Sequence, residues 1–394
     1  MGKRRVLGAL GAFALVAAAC GTGGSPSPSL DMPTSIGEGE GELNLVIWAG
    51  YAEDGSAFPE FDWVTPFEEE TGCIVNTQVQ ADSAAGVQLL RSGEFDGGSF
   101  SGNATDRLMA AGDVAPVNVD LLSNYENVFD GLKLQAHNSK DGVPYGVPHG
   151  RGPNLLIWNT DEVDDQTTWD GIWENAADYA GKLSIFDSQD FIADAAIHLM
   201  ATMSDLGITN PYQLTQEQFD AAIALLEEQF THEPQFWSGA TFTEQIQAFA
   251  AGDVVIGTTW QFQVNSLLAA TPPAPVKAIK PAEGTTGWSD TWMIASEAAH
   301  PNCMYMWMNH MMSAEANGQA TVYFGEAPTS DEACAYAETI APGHCDQTHA
   351  TDEAYYEDVW YWSTAREDCG DDDAATTCVD YDAWVEAWTT LRGG

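Results

Sequence analysis

Aromatic and acidic side chains recur at the ends of short apolar segments. Four such places are Trp48 to Tyr51, Phe186 to Asp190, Thr258 to Trp260, and Trp288 to Asp290. The face of an aromatic ring attracts an ammonium group, and a neighbouring carboxylate neutralises the charge of that group. One tryptophan usually packs in a core, but four places of this kind predict a site for a small organic cation.

The elements that position these residues are predicted from short apolar segments alternating with amphipathic ones, the pattern of α/β proteins. The predicted strands are 43–48, 74–79, 154–159, 182–186 and 254–258, and the predicted helices are 62–71, 84–92, 104–111, 190–205, 215–230 and 381–391. Between residues 302 and 321, Met, Trp and Tyr also recur at helical spacing. In α/β proteins the loops beyond the carboxyl ends of the strands form the ligand crevice. The aromatic and acidic residues follow predicted strands in this way.

Two segments rich in Gly and Pro, residues 142–152 and 284–290, lie between strand-like segments. Each can carry the chain from one α/β lobe to another, so we predict two lobes with a hinge and a central ligand cleft. The predicted first lobe comprises 43–149 and 289–335, and the predicted second lobe comprises 150–288 and 336–394. Closure of such lobes lets buried charges pair out of water.

The charge balance limits the possible partners. The chain of 394 residues has 59 Asp and Glu against 13 Lys and Arg, a formal net charge of −46. Nucleic-acid binding requires basic side chains that displace counterions, so this composition excludes a nucleic-acid partner. It equally excludes docking of the protein body onto anionic lipid. An acidic surface concentrates cations. Adaptation to a saline environment accounts for most of this excess of acidic residues.

The N-terminus has the order of a secretory signal. Basic residues 3–5 precede the apolar residues 6–16, and the small residues 17–19 precede Cys20. This order predicts a signal peptide over 1–19, because the apolar segment is too short to span a bilayer. The end of the segment resembles a bacterial lipobox, which predicts lipidation of Cys20; ordinary signal-peptide cleavage is the alternative. Residues 20–42 are rich in Gly, Ser, Pro and Glu and predict a disordered tether, with the membrane contacted only through the lipid.

Six further cysteines remain for an exported protein: Cys73, Cys303, Cys334, Cys345, Cys369 and Cys378. An even number in an oxidising compartment predicts disulfides. Proximity in sequence favours the pairs Cys334–Cys345 and Cys369–Cys378, which would leave Cys73 for Cys303. Fifteen connectivities are possible in principle. Zinc binding is a rival interpretation, although the chain contains no CxxC or HExxH motif.

Several short motifs together resemble a known family. A strand leads into Trp48 and Tyr51, and Asp96, Ser101 and Asp106 follow at the family's spacing; further matches are Asp187, Asp190, Trp260, Trp288 and Asp290. From about residue 43 to 328 the chain resembles the periplasmic spermidine/putrescine-binding proteins, the receptors of ABC importers. The resemblance implies that the rings wall the aliphatic chain of a polyamine while Asp187, Asp190 and Asp290 hold its amines. It also implies a membrane permease as partner, and we expect a monomer with neither cofactor nor metal.

Three departures from the family bear on the ligand. Asn103 stands where the family has a second wall aromatic, and Glu326 stands near a position where the family has tyrosine. Glu326 would add a carboxylate if it faced the site. Arg151 lies in the first crossing, where the family is uncharged. It could bind a carboxylate, which would make the ligand a zwitterionic or amino-acid-like solute, or it could form a salt bridge across the hinge.

Two other classes of protein are compatible with some of these residues. A secreted hydrolase could use Asp187 and Asp190 as an acid/base pair, because glycoside cleavage needs two carboxylates. A ferric-ion receptor could use the adjacent Tyr355 and Tyr356, although their aromatic-rich surroundings, which include Trp362, favour core packing. The chain contains no GxSxG, no P-loop and no dinucleotide-binding glycine motif after a strand. The sequence therefore favours a binding protein over an enzyme.

Overall fold

The computed structural model describes residues 32–369 and 376–393. The predicted signal peptide and the lipidation of Cys20 lie outside these residues. Within them, no helix is both long enough and apolar enough to cross a bilayer.

The strands are short and are distributed over the whole chain. They are β1 Glu42–Ile47, β2 Ile74–Val79, β3 Gly97–Phe100, β4 Ser139–Lys140, β5 Val143–Pro144, β6 Gly146–Pro148, β7 Gly152–Pro153, β8 Leu155–Asn159, β9 Leu183–Phe186, β10 Gln235–Trp237, β11 Ile256–Thr259, β12 Val276–Ile279, β13 Thr285–Trp288, β14 Thr291–Ile294 and β15 Val359–Tyr361.

Helices follow most of these strands, as the alternating pattern predicts. They are α1 Val64–Thr71, α2 Ser83–Arg91, α3 Gly102–Ala111, α4 Phe191–Thr202, α5 Gln216–Phe230, α6 Phe242–Ala251, α7 Gln261–Ala269, α8 Pro301–Met311, α9 Ala314–Phe324, α10 Asp331–Ile340, α11 His344–Gln347, α12 Glu353–Tyr356 and α13 Tyr381–Gly393. Short 3-10 turns include Trp169–Gly171, which bears on a site described below. The aromatic stretch from 302 onward forms two helices, because Ser313 caps a new one.

Two five-stranded sheets form the centres of two lobes. The first has the order β2-β1-β3-β14-β6, and the second has the order β10-β9-β11-β8-β12. Within the first sheet, alternate residues of β1 face opposite sides. Leu45 and Ile47 pack in a core with Trp292 and Trp307, whereas Val46 packs in another core. Both faces are therefore covered, which explains why β1 is an almost continuous apolar segment.

The strands β15, β13 and β7 form a separate three-stranded sheet in that order. β7 and β13 pair antiparallel, with Trp288 opposite Gly152, and β13 pairs parallel with β15. The indole of Trp288 packs so closely on Gly152 that a Cβ at this position would overlap the ring. After β15, the chain supplies Trp384 and Trp388 to the core of the second lobe.

Part of the predicted tether is ordered. Gly37 donates its N–H to Asn302 Oδ1 at 2.6 Å, and the Glu40 carboxylate accepts the N–H groups of Asn302 and Cys303 at 3.0 and 2.9 Å. Glu40 thus satisfies free N–H groups at the start of α8, a position that favours negative charge. The prediction of a disordered tether over 20–42 is therefore wrong for residues 32–42. Composition alone does not show that an acidic residue of this segment binds the N-terminus of a helix.

The predicted disulfide pairing is confirmed. Cys73 pairs with Cys303, Cys334 with Cys345 and Cys369 with Cys378. The first bond joins the segment before β2 to α8, across 230 residues of sequence. None of these six cysteines retains a free thiolate for the zinc alternative.

Candidate functional site

A cavity of about 400 Å³ lies at the carboxyl ends of strands from both sheets. Trp48 follows β1, Ser101 follows β3 and Trp260 follows β11, and all three line the cavity. The site residues that the sequence predicts and the structure brings to this cavity are Trp48, Tyr51, Ser101, Asn103, Asp187, Asp190, Trp260, Trp288 and Asp290. The rule that the ligand crevice lies beyond the strand ends holds here.

Asp290 is the buried acid of the first lobe that lines the cavity. Its carboxylate accepts hydrogen bonds from Ser101 Oγ at 2.6 Å and from Tyr51 Oη at 2.8 Å. Only 3% of the residue is exposed. Burial raises the pKa of Asp290 to about 6, although both hydrogen bonds favour the charged form. Two neutral donors therefore do not compensate for the water that this carboxylate has lost.

Asp190 is the corresponding acid of the second lobe, immediately before α4. It accepts hydrogen bonds from Asn103 Nδ2 at 2.7 Å and from Ser188 Oγ at 2.8 Å. Burial raises the pKa of Asp190 to about 6, and these hydrogen bonds and the charge of Arg107 act in the opposite direction. Among the residues described, no lysine or arginine forms an ion pair with either Asp190 or Asp290.

An aromatic wall joins the two acids. The indoles of Trp260 and Trp288 meet edge to face with their centroids 5.7 Å apart, and Phe186 stacks on Trp362 at 5.6 Å with 9° between the planes. Trp260 Nε1 donates to Asn154 Oδ1 at 2.9 Å, which fixes the orientation of its ring. Such a wall gives a hydrocarbon chain apolar contact and gives an ammonium group the face of a ring.

Part of this wall was not predicted from the sequence. Trp362 packs in the core of the second lobe and also lines the cavity. The further aromatic residues that the site predictions omitted and that line the cavity are Phe186, Phe242, Phe262, Tyr323, Phe324 and Tyr381. Phe186 stands beside Asp187 in a segment that the sequence singled out. The others stand in helices or in the tail, where no local motif marks them.

Asp187 lines the cavity but already has a cation. Arg392 of α13 donates Nε to Oδ1 at 3.0 Å and Nη2 to Oδ2 at 3.1 Å, and Trp388 Nε1 donates to Oδ1 at 3.0 Å. The C-terminal helix therefore neutralises one of the three acids that the resemblance assigned to the amines. Asp187 supplies less uncompensated charge than Asp190 or Asp290.

Glu326 and Arg151 were predicted as ligand-binding residues, but neither of them lines the cavity. Glu326 is buried, and its Oε1 lies 3.2 Å from His149 Nε2. Arg151 donates to Glu353 Oε1 at 2.7 Å and lies over the ring of Tyr356 at 3.7 Å. The reason is the pairing of Arg151 with residue 327, which turns the guanidinium away from the cleft. Of the two alternatives for Arg151, the structure favours the salt bridge.

The two adjacent tyrosines also lie away from the cavity. Tyr356 donates its hydroxyl to the carbonyl of Thr348 at 2.7 Å beneath Arg151, and Tyr355 stacks on His349 with the centroids 3.8 Å apart. Burial is the main cause that raises the pKa of Tyr355 to about 12. A buried tyrosine beside a guanidinium is a packing residue, which contradicts the ferric-ion interpretation.

Comparisons with known proteins show the family of this chain and its fold. Residues 62–350 match the sequence profile of a family described as bacterial extracellular solute-binding proteins. A putrescine/agmatine-binding protein of Pseudomonas aeruginosa is 22% identical over 289 residues, which cover 67% of this chain and 75% of the relative.

Solved structures share the fold. A spermidine/putrescine ABC transporter substrate-binding protein from Streptococcus pneumoniae aligns with a TM-score of 0.67 and 16% identity, covering 89% of this chain and 97% of the other. A protein of A. tumefaciens B6 solved with glucopine aligns with a TM-score of 0.61 and 17% identity, covering 89% and 99%. These likenesses confirm the predicted two-lobe α/β fold. They do not by themselves select a ligand, because the first protein is named for spermidine and putrescine and the second was solved with glucopine.

Proposed function

This chain belongs to the family of bacterial extracellular solute-binding proteins, and we propose that it captures a small organic diamine as the receptor of an ABC importer. In the proposed complex, one ammonium group lies beside Asp290 and the other beside Asp190. The aliphatic chain between the amines packs against Trp260, Trp288 and Phe186.

The observation that carries the proposal is the pair of buried carboxylates, each with its pKa raised to about 6 by burial and without an ion pair. A cation beside each carboxylate would lower both pKa values. Its charge would also offset the desolvation free energy of the buried carboxylates. A neutral solute would leave both acids uncompensated at neutral pH, which gives the site a means of refusing it.

The charge count favours a diamine over a triamine. The cavity presents two buried carboxylates without an ion pair, Asp290 and Asp190, whereas Asp187 is paired with Arg392. The fourth acid of the lining, Asp82, is exposed, so water already solvates its charge, and it accepts the N–H of Ala85 at 2.8 Å as the N-cap of α2. A third ammonium at Asp187 would have to displace Arg392, which also lies over the ring of Phe236 at 3.6 Å. Two ammonium groups therefore match the two buried carboxylates that lack an ion pair.

The same contacts argue against the hydrolase. An acid/base pair needs both carboxyls free to exchange protons with the substrate. Asp187 instead accepts three hydrogen bonds from Trp388 and Arg392. We infer a binding protein without catalytic activity.

The cellular setting follows from the N-terminal sequence and the family. We propose that the protein is exported, is anchored through lipid on Cys20 and delivers its ligand as a monomer to a membrane permease. We further propose that residues 43–149 with 289–335 and residues 150–288 with 336–394 move as two lobes. The Asn103–Asp190 hydrogen bond across the cleft supports closure of this kind.

A thermal-shift screen tests the proposal. The ligands are putrescine, agmatine and spermidine, set against γ-aminobutyrate, glutamate, a betaine and a sugar. A ligand that binds the folded state raises stability by RT ln(1 + [L]/Kd). We expect the diamines to give the largest shift. Stabilisation by a carboxylate-bearing solute with none by a diamine would overturn the assignment.

A further inference from the structure

A second cluster of ligating side chains lies in the second lobe, outside the cavity. It contains Asp170 of the turn Trp169–Gly171, His198 of α4 and Glu283 of the segment that leads into β13. One ligand atom from each lies within 4.8 Å of the other two. Glu174 is close enough to interact electrostatically with both His198 and Glu283. Three separate parts of the chain therefore meet at this cluster: the turn Trp169–Gly171, α4 and the segment before β13.

Two buried atoms of this cluster have no partner. His198 is only 3% exposed, and its Nδ1 is buried without a hydrogen bond; Glu283 Oε2 is likewise buried and unpartnered. The other oxygen of Glu283 accepts the backbone N–H of Trp169 at 2.9 Å. Among the described residues, no lysine or arginine forms an ion pair with these acids. Buried polar atoms are normally hydrogen-bonded, so two unpartnered atoms that meet in one cluster point to a bound ligand.

We propose that Asp170, His198 and Glu283 bind a divalent transition-metal ion, with Zn²⁺ as the probe that matches them best. One imidazole and two carboxylates are a donor set that zinc accepts, and three protein ligands leave further positions for water or for Glu174. The imidazole selects against Ca²⁺ and Mg²⁺, which prefer oxygen ligands alone.

The position of the cluster gives the metal a structural role. Glu283 leads into β13, whose Thr286 donates to Asp194 of α4 at 2.8 Å, one helical turn before His198. β13 ends at Trp288, and α4 begins next to Asp190. A metal at the cluster would therefore hold the segment that leads into β13 against α4, the helix that starts at the ligand cavity. This inference rests on the His–carboxylate geometry and does not depend on which solute the cavity takes.

Zinc titration of the full-length protein after chelator treatment tests the proposal. Calorimetry at high ionic strength, which screens diffuse binding to the acidic surface, should show one Zn²⁺ per chain. Neither Ca²⁺ nor Mg²⁺ should compete at equal concentration. Co²⁺ in place of Zn²⁺ should give visible absorption bands that report nitrogen and oxygen ligation.

Three variants locate the ion. His198→Gln and Asp170→Asn should each weaken Zn²⁺ binding at least tenfold; Asp170 is partly exposed, so its variant retains the fold even if the helix substitution does not. His349→Gln is the matched control, because His349 is a half-buried histidine 3.7 Å from Asp352, elsewhere on the chain. The proposal is overturned if the parent binds no stoichiometric Zn²⁺, or if Asp170→Asn binds it as tightly as His349→Gln does.

Discussion

Asn103 Nδ2 donates a hydrogen bond to Asp190 Oδ2 at 2.7 Å. Asn103 lies in the first turn of α3, which follows β3 of the first sheet. Asp190 lies between β9 of the second sheet and α4. The bond therefore joins the two lobes beside the cavity. An asparagine at this position reaches across the cleft, where the resemblance alone implied an aromatic wall.

Replacing Asn103 by Ala should weaken diamine binding by about tenfold. The expected cost is about 1.5 kcal/mol, the value of a hydrogen bond to a charged group. Calorimetry on the variant measures this loss, with Asn76→Ala as the control, because the Asn76 side chain donates to Asn44 within the first sheet and does not line the cavity. Equal affinities for the two variants would show that the bond across the cleft does not contribute to capture.

Diamine binding should weaken as the pH falls through about 6. Asp290 and Asp190 have pKa values of about 6 in the free protein because of burial, and a bound ammonium would lower both. At pH 5 each carboxyl is about 90% protonated, so affinity should fall by about tenfold for each acid relative to pH 8. Calorimetry in buffers of different ionisation enthalpy should show proton release near pH 6 and none near pH 8. An affinity that stays constant from pH 8 to 5 would contradict the role of both acids.

The elements could be predicted because they depend on local patterns. Residues 74–79 form the predicted strand without change, and the predicted helix 215–230 is observed as α5, which Thr215 and Gln218 start with a capping box. The carboxyl ends of the strands then place the predicted aromatic and acidic residues around one cavity.

What the sequence could not supply is the partner of each charge. Asp187 and Asp190 stand three residues apart in equivalent contexts, yet Asp187 meets Arg392 from the other end of the chain. Arg151 stands beside the cleft in sequence, and only its pairing with residue 327 directs its side chain to Glu353. Contacts over about 200 residues decide these cases, and no local spacing encodes them.

Arg392→Gln should shift selectivity toward the triamine. Loss of the guanidinium frees the Asp187 carboxylate, which is 32% exposed and lines the cavity. The ratio of spermidine to putrescine affinity should rise several-fold, measured by calorimetry in the same buffer, because a third ammonium gains a partner. Lys277→Gln, which removes an exposed ion pair to Asp165, is the control and should leave the ratio unchanged. An unchanged ratio in Arg392→Gln would contradict the charge count.

Removing the Cys73–Cys303 bond should lower the free energy of unfolding by about 2 to 5 kcal/mol, the range for a native disulfide. The bond closes a loop of 230 residues, whereas Cys369–Cys378 closes one of 9, so the double serine variant of the short loop should lose less. Urea unfolding of both variants measures the difference. A larger loss for the short loop would contradict the loop-entropy argument.

The most direct test of the central claim is the affinity of Asp290→Asn for putrescine by calorimetry, beside Asp187→Asn. Breaking a desolvated charge pair at Asp290 should cost about 2–5 kcal/mol of binding free energy, while the thermal unfolding of the ligand-free protein is retained. Asp187→Asn should cost much less, because Arg392 already neutralises that carboxylate. If Asp290→Asn binds putrescine as tightly as the parent protein, the assignment of the cavity to a diamine is wrong.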